Sequence, residues 1–248
     1  KLPELKGVEP RALKNIGVIG GGTMGAGIAV AALLAGFGVT MVERDAAAAE
    51  AGANRVAGIL QGSVKRGKLS QSKYDAIMAD GFQAVDTYDA LGDVDLVVEA
   101  AFEEMGVKKA IFAELDRVCK PGAVLASNTS YLDVNEIAAS TSRPSDVLGL
   151  HFFSPAHVMK LLEVVVADQT APDVVATGFA LGKAMRKIAV RSGVCDGFIG
   201  NRILKTYRTC ADHMVLDGAS PYEIDKAMTA FGFAMGPFEV ADLAGLDI

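Results

Sequence analysis

The pattern Gly20-x-Gly22-x-x-Gly25 constrains this chain more than any other stretch of it. It follows a short β-branched apolar run, residues 15–19 (NIGVI), and opens a small apolar segment, residues 24–34, that reads as a buried helix. Gly36 and Gly38 stop that helix, and residues 39–43 (VTMVE) form a second apolar strand closed by an acid, Glu43. Strand, glycine turn, helix and strand in this order make the unit from which parallel sheets are built. Gly20 permits the tight turn, Gly22 removes a side chain where a pyrophosphate would approach backbone, and Gly25 lets helix and strand pack closely. The helix start offers free N–H groups and a positive dipole end to phosphate. Glu43 suits the hydroxyls of an adenosine ribose and repels a 2′-phosphate, which favours NAD over NADP; Arg44 beside it works the other way. The plainer alternative is a glycine-rich turn with no ligand.

The alternation continues down the chain. Residues 45–68 and 70–78 suit helices, 82–85 a weak strand, 95–99 (DLVVE) a strong strand and 104–118 a helix. Residues 123–126, 147–153, 161–166 and 187–190 read as further strands, with a helix over 172–185. After Asp196-Gly197 the character changes, and residues 199–216 and 221–230 read as helices with no strand between them. The expected organisation is a linker over 1–12, a Rossmann-type doubly wound α/β domain over 13–192 that binds the dinucleotide, and the start of an all-helical domain over 193–248. The chain begins at Lys1, with Pro3 and Pro10 bracketing a linker-like stretch, and stops at Gly245-Leu246-Asp247-Ile248 without a polar tail. Both ends read as cut from a longer polypeptide.

Composition narrows the function. Hydrophobic residues make up 51% and charged residues 22%, an ordinary globular balance, and the net charge of -6 speaks against a nucleic-acid partner. The three cysteines, Cys119, Cys195 and Cys210, form no CxxC pair, and with three histidines in all no metal site is expected. Reduced thiols fit a reducing compartment. The longest apolar run, residues 28–35, is far short of the roughly 20 residues of a membrane span. The alanine-rich composition leans towards a bacterial cytoplasm, with the peroxisome left open.

Oxidising a secondary alcohol requires a base for the hydroxyl proton, and histidine is the obvious candidate near neutral pH. His151 follows the apolar run 147–150 and so stands near a strand's C-terminal end, where open α/β sheets bind ligands. Glu163 lies inside the apolar strand 161–166, where a carboxylate is costly unless paired. Pairing with His151 would satisfy it, fix the imidazole tautomer and stabilise the imidazolium. The bland readings are a packed histidine at a strand end and an outward-facing glutamate. On their own, Ser130 and Asn201 read as a serine in a capping turn and an asparagine at a helix N-cap, although either could donate a hydrogen bond to a substrate oxygen. His157 and His213 read as loop and helix-surface residues. Lys65, Arg66 and Lys68 form a small basic cluster suited to phosphates or to a solvated helix face.

Several motifs occur together and in order: Gly20-Gly21-Gly22-Thr23-Met24-Gly25, Val97-Val98-Glu99-Ala100, Ser127-Asn128-Thr129-Ser130, His151-Phe152-Phe153-Ser154-Pro155, Met159-Lys160-Leu161-Leu162-Glu163-Val164, Gly197-Phe198-Ile199-Gly200-Asn201-Arg202 and Met235-Gly236-Pro237-Phe238-Glu239. In these motifs the chain resembles the L-3-hydroxyacyl-CoA dehydrogenases of fatty-acid β-oxidation from about Leu13 onward. The wording around His151 is most similar to the dehydrogenase part of peroxisomal and bacterial multifunctional enzymes. The resemblance implies NAD-dependent oxidation of an L-3-hydroxyacyl-CoA to the 3-oxoacyl-CoA. It implies His151 as base, Glu163 as its paired carboxylate, and Ser130 and Asn201 as substrate contacts. It places Gly20, Gly22, Thr23, Met24, Gly25, Glu43, Glu103, Lys108 and Ser154 about the cofactor. Ser154 departs from the asparagine of many single-function members and reaches less far. The resemblance also leaves room for an upstream hydratase/isomerase domain in the full-length chain and for a homodimer. A dinucleotide-binding fragment with impaired catalysis, or a related dehydrogenase acting on a non-CoA hydroxy acid, are the alternatives.

Overall fold

Apolar strands of four to six residues alternate with helices, and the shortest connections decide which way each strand runs. The computed structural model describes residues 3–244. The linker expectation for Lys1 and Leu2, and the reading of the Gly245-Leu246-Asp247-Ile248 end, fall outside the described residues. Contacts divide the chain into two compact units, the first ending at Phe198 and the second beginning at Ile199.

In the first unit the strands are β1 (Asn15–Ile19), β2 (Gly38–Val42), β3 (Phe82–Val85), β4 (Leu96–Glu99), β5 (Val124–Ser127), β6 (Val147–Phe152), β7 (Leu161–Val166) and β8 (Ile188–Gly193). They form one sheet in the order β3-β2-β1-β4-β5-β6-β7-β8. The first six run parallel, in a doubly wound Rossmann order whose reversal point lies between β1 and β4. β7 runs antiparallel to β6 because residues 153–160 are too few for a helical crossover, and β8 follows β7 in parallel. The helices of this unit are α1 (Thr23–Leu34), α2 (Ala46–Lys65), α3 (Gln71–Ala76), α4 (Met105–Val118), α5 (Val134–Ala138) and α6 (Pro172–Ala184). A π-turn, Ile77–Gly81, carries α3 into β3.

Alternation along each strand sorts the core into two layers. Val98, Ala126, Leu150 and Leu162 join the cluster that includes α1, α2 and α6. Val97, Leu125, Val147 and Val165 join the cluster that includes Phe112 of α4 and Ile137 of α5. By the same alternation Glu99, Ser127, His151 and Glu163 project towards the α4 and α5 side. α1 is buried all round, which explains a sequence of glycine, alanine and branched residues with no polar face.

Most predicted elements appear within two or three residues of their expected bounds. The five-residue α5 was not anticipated, since its polar residues dilute any periodic signal. Residues 3–12, read as a linker, are tied down in part. Arg11 donates from Nε to Asp173 at 2.8 Å, from Nη1 to Asp146 at 2.8 Å, and from its backbone N–H to Thr177 Oγ1 at 2.8 Å. The second unit holds α7 (Gly200–Leu216), α8 (Pro221–Phe231) and α9 (Pro237–Ala244). α9 lies beyond the helices expected from the sequence. The Asp225 carboxylate accepts the backbone N–H groups of Phe238 and Glu239 at 2.9 and 3.0 Å and so caps α9.

Candidate active site

The glycine turn carries out the steric tasks its spacing implied. Gly20 has φ +92°, and a Cβ there would sit 2.7 Å from the Ala100 carbonyl oxygen beyond β4. A Cβ on Gly25 would overlap the carbonyl oxygen of Gly20. At Gly22, by contrast, a Cβ would meet no atom within 4 Å, so the space in front of it is open. No side chain caps α1, which leaves its first-turn N–H groups available to an anion. Thr23 is exposed and Met24 half-buried beside them.

Glu43 stands one residue past β2. Its carboxylate accepts the Gly21 N–H at 2.6 Å and the Arg44 N–H at 3.1 Å. Arg55 closes the other side, donating to the Gly21 carbonyl at 2.9 Å. A cavity of about 520 Å³ opens here, lined by Gly22, Glu43, Arg44, Asp45 and Arg55. The Arg44 guanidinium is turned to Asp45 at 3.0 Å in an exposed ion pair. An open glycine face, an uncapped helix start and an acid at the ribose position fit a dinucleotide without a 2′-phosphate. Arg55 was not singled out from the sequence, since an arginine within a helix carries no local signal.

At the end of β6, His151 is 3% exposed and Glu163 0%. They are register partners across the β6–β7 hairpin, so their side chains share a face. His151 Nδ1 lies 2.7 Å from Glu163 Oε2. With the carboxylate ionised, Nδ1 carries the proton and Nε2 presents the lone pair. Phe153 and Phe198 flank the ring at centroid distances of 4.4 and 5.7 Å.

A second buried cluster joins the ends of β4 and β5. Lys108 Nζ reaches Glu99 Oε1 and Oε2 at 2.8 and 3.0 Å and Glu103 Oε2 at 3.2 Å. Ser127 Oγ donates to Glu99 at 2.7 Å, as does the Ala101 N–H. Glu103 Oε1 in turn accepts from Thr129 Oγ1 at 2.6 Å and from the Ser130 N–H at 2.7 Å. Burial raises the Glu103 pKa, but the Thr129 hydrogen bond, the Lys108 charge and the Ser130 amide outweigh it and hold the carboxyl below the usual range. Lys108 was expected near the cofactor. Its side chain is 1% exposed and its ammonium is occupied by two carboxylates, so here it braces the loop that carries Ser130. Asn128 Oδ1 accepts the Phe152 N–H at 2.8 Å, tying that loop to the residue after His151. The Ser130 hydroxyl has no partner among the described residues. Ser154 is exposed on the loop after β6. Asn201 sits in the first turn of α7 in the second unit.

Glu99, Ser127 and Asn128 received no role from the sequence alone. The signal was present: Glu99 is an acid closing an apolar strand, the same anomaly that marked Glu163.

Residues 15–195 match the family model described as "3-hydroxyacyl-CoA dehydrogenase, NAD binding domain", and residues 197–248 match "3-hydroxyacyl-CoA dehydrogenase, C-terminal domain". The peroxisomal bifunctional enzyme of Danio rerio is 47% identical over 244 residues, which is 97% of this chain and 33% of that protein. The chain thus spans about a third of the length of the curated relatives it matches. Among solved structures, FadB2 of M. tuberculosis superposes with a TM-score of 0.92 at 39% identity, covering 96% of this chain and 84% of that one. The 3-hydroxybutyryl-CoA dehydrogenase of Escherichia coli K12 gives a TM-score of 0.91 at 40% identity, covering 96% and 50%.

Proposed function

The chain belongs to the 3-hydroxyacyl-CoA dehydrogenase family, and on that premise we propose that it carries out the NAD-dependent oxidation of an L-3-hydroxyacyl-CoA to the 3-oxoacyl-CoA within a larger β-oxidation enzyme. The observation that carries this reading is the buried contact of 2.7 Å between His151 and Glu163 at the ligand end of the sheet. His151 Nε2 takes the proton of the C3 hydroxyl. Glu163 holds Nδ1–H, aims the ring and offsets the positive charge as the imidazolium forms. Bound NAD supplies the acceptor for the hydride that leaves C3. The Ser130 hydroxyl donates to the substrate oxygen as it becomes a carbonyl, on a loop braced by Glu103 and Lys108. The role of Asn201 as a second donor rests on family resemblance alone. Glu43 favours NAD over its 2′-phosphorylated form, and the Arg44–Asp45 pair lessens the arginine's competing pull.

An acyl-CoA substrate and a companion catalytic domain elsewhere in the protein belong to the same proposal. Their support is the names of the relatives, which are bifunctional and multifunctional enzymes of the peroxisome and glyoxysome. Those names favour the peroxisome, and the cytoplasmic reading rests on composition alone. No helix among the described residues is long and apolar enough to cross a membrane. The exposed Ile203, Leu216, Phe231 and Leu243 of the second unit support a homodimer.

The test is the rise of NADH absorbance when the whole protein meets 3-hydroxybutyryl-CoA and NAD, and its decay with acetoacetyl-CoA and NADH. A folded sample that binds NADH yet turns over neither thioester would sink the proposal and leave a dinucleotide-binding module. Equal turnover of the free hydroxy acid would remove the CoA thioester as the substrate class.

A further inference from the structure

The β5–β6 ladder stops before the strand that carries His151 does. Its register runs Leu125↔Val147, Ala126↔Leu148 and Ser127↔Gly149, and β5 ends at Ser127. β6 runs on to Phe152, so His151 lies in a stretch with no partner in β5. On its other side His151 has a strand partner, Glu163 of β7. Towards β5, then, the end of β6 has no ladder to hold it. Phe152 is 2% exposed, and a backbone N–H at that depth needs an acceptor.

A side chain supplies one. Asn128, the first residue after β5, accepts the Phe152 N–H on Oδ1 at 2.8 Å. A backbone N–H can only donate, so the carbonyl oxygen of the amide is the atom that faces it. That N–H belongs to the planar peptide unit joining His151 to Phe152. Holding the plane limits ψ of His151, the torsion that relates the plane to the Cβ bearing the imidazole. Asn128 is itself held. It is 9% exposed, and its own N–H donates to the Glu99 carbonyl oxygen at 2.7 Å. Glu99 carries the buried pair with Lys108, and Thr129, the next residue, is clamped to Glu103. Asn128 Nδ2 has no partner among the described residues, so the fold uses the acceptor half of this side chain.

We propose that Asn128 is a positioning residue for His151. Its side-chain oxygen stands in for the missing ladder partner, holds the His151–Phe152 peptide, and so keeps the imidazole against Glu163 and aimed at the substrate hydroxyl. The aim at the hydroxyl rests on the reading of His151 as base; the hold on the His151–Glu163 contact does not. A displacement of about 1 Å at a catalytic group costs on the order of 10²-fold in rate, which gives one hydrogen bond at this position its weight.

The experiment compares Asn128→Ala and Asn128→Asp with the parent, in the whole protein and below each thermal midpoint. Alanine removes the acceptor; aspartate, ionised or not, keeps an oxygen in its place. Read for each are kcat and KM with 3-hydroxybutyryl-CoA, the NADH Kd, and the Nδ1–H resonance of His151 in protein labelled at histidine, assigned by its loss in His151→Ala. Asn128→Ala is expected to lower kcat by about 10- to 100-fold while KM and the NADH Kd stay within about threefold. Its Nδ1–H resonance is expected to vanish through exchange with water as the contact with Glu163 loosens. Asn128→Asp is expected to restore both the resonance and kcat, the latter to within about fivefold of the parent. Where the cavity left by alanine unfolds the chain, Asn128→Leu fills the volume without an acceptor and is held to the same outcomes. A folded variant lacking the acceptor that keeps the parent's kcat and resonance, and loses only thermal midpoint, would overturn the positioning role. So would equal losses in a folded Asn128→Asp protein, or a change confined to the NADH Kd. A parent that fails to turn over, with a resonance that still responds to Asn128→Ala, would remove His151 as base and leave the positioning role standing.

Discussion

Replacing Lys108 with methionine tests the brace under the Ser130 loop. The ammonium is 1% exposed and satisfies Glu99 at 2.8 and 3.0 Å and Glu103 at 3.2 Å. Removing one partner of a buried pair strands the other, at a cost of about 3–5 kcal/mol. Glu99 would keep two hydrogen bonds, from Ala101 and Ser127, so the lower end of that range is expected, about 3 kcal/mol. Glu99→Gln alone should cost less, because Lys108 retains Glu103. The double variant should be less destabilised than the sum, with a coupling of about 1–3 kcal/mol, since no buried charge is stranded. Urea unfolding of the four proteins at neutral pH measures this. A Lys108→Met protein within about 1 kcal/mol of the parent, or strictly additive variants, would refute the reasoning.

Gly22→Ala and Gly25→Ala separate cofactor space from packing. Gly22→Ala should leave the thermal midpoint unchanged, because nothing surrounds the new methyl, yet weaken NADH binding by about tenfold or more; Gly25→Ala should lose stability and binding together, because its methyl meets the Gly20 carbonyl. Glu103 is held below its ordinary pKa in the folded protein, so it contributes stability above its unfolded pKa that is lost as pH falls through the folded value. Glu103→Gln should flatten the acid limb of stability against pH, and an unaltered limb would show that the clamp on Thr129 and Ser130 is not felt. The same variant should raise KM for the thioester more than it lowers kcat.

Much of the first unit was legible because its patterns are local. Strand, glycine turn and helix at residues 15–34 announce themselves by composition, and Glu163 stood out as a charge inside an apolar run. The His151–Glu163 pairing followed from that anomaly, and the hairpin register then placed the two directly opposite. Directions and networks were less legible. That β7 turns back on β6 depends on the length of the 153–160 connection, which leaves no mark in the hydrophobic pattern of either strand. The resemblance places Lys108 near the cofactor; its burial between Glu99 and Glu103 arises from separate segments meeting, which no single stretch encodes.

The central claim is that the His151 imidazole, aimed by Glu163, accepts the substrate proton. Its most direct measurement is steady-state turnover of 3-hydroxybutyryl-CoA by His151→Ala in the whole protein, with NADH affinity determined on the same sample. The account predicts a fall in kcat of about 10²–10⁴-fold with the NADH Kd unchanged. Turnover within a few-fold of the parent would contradict it.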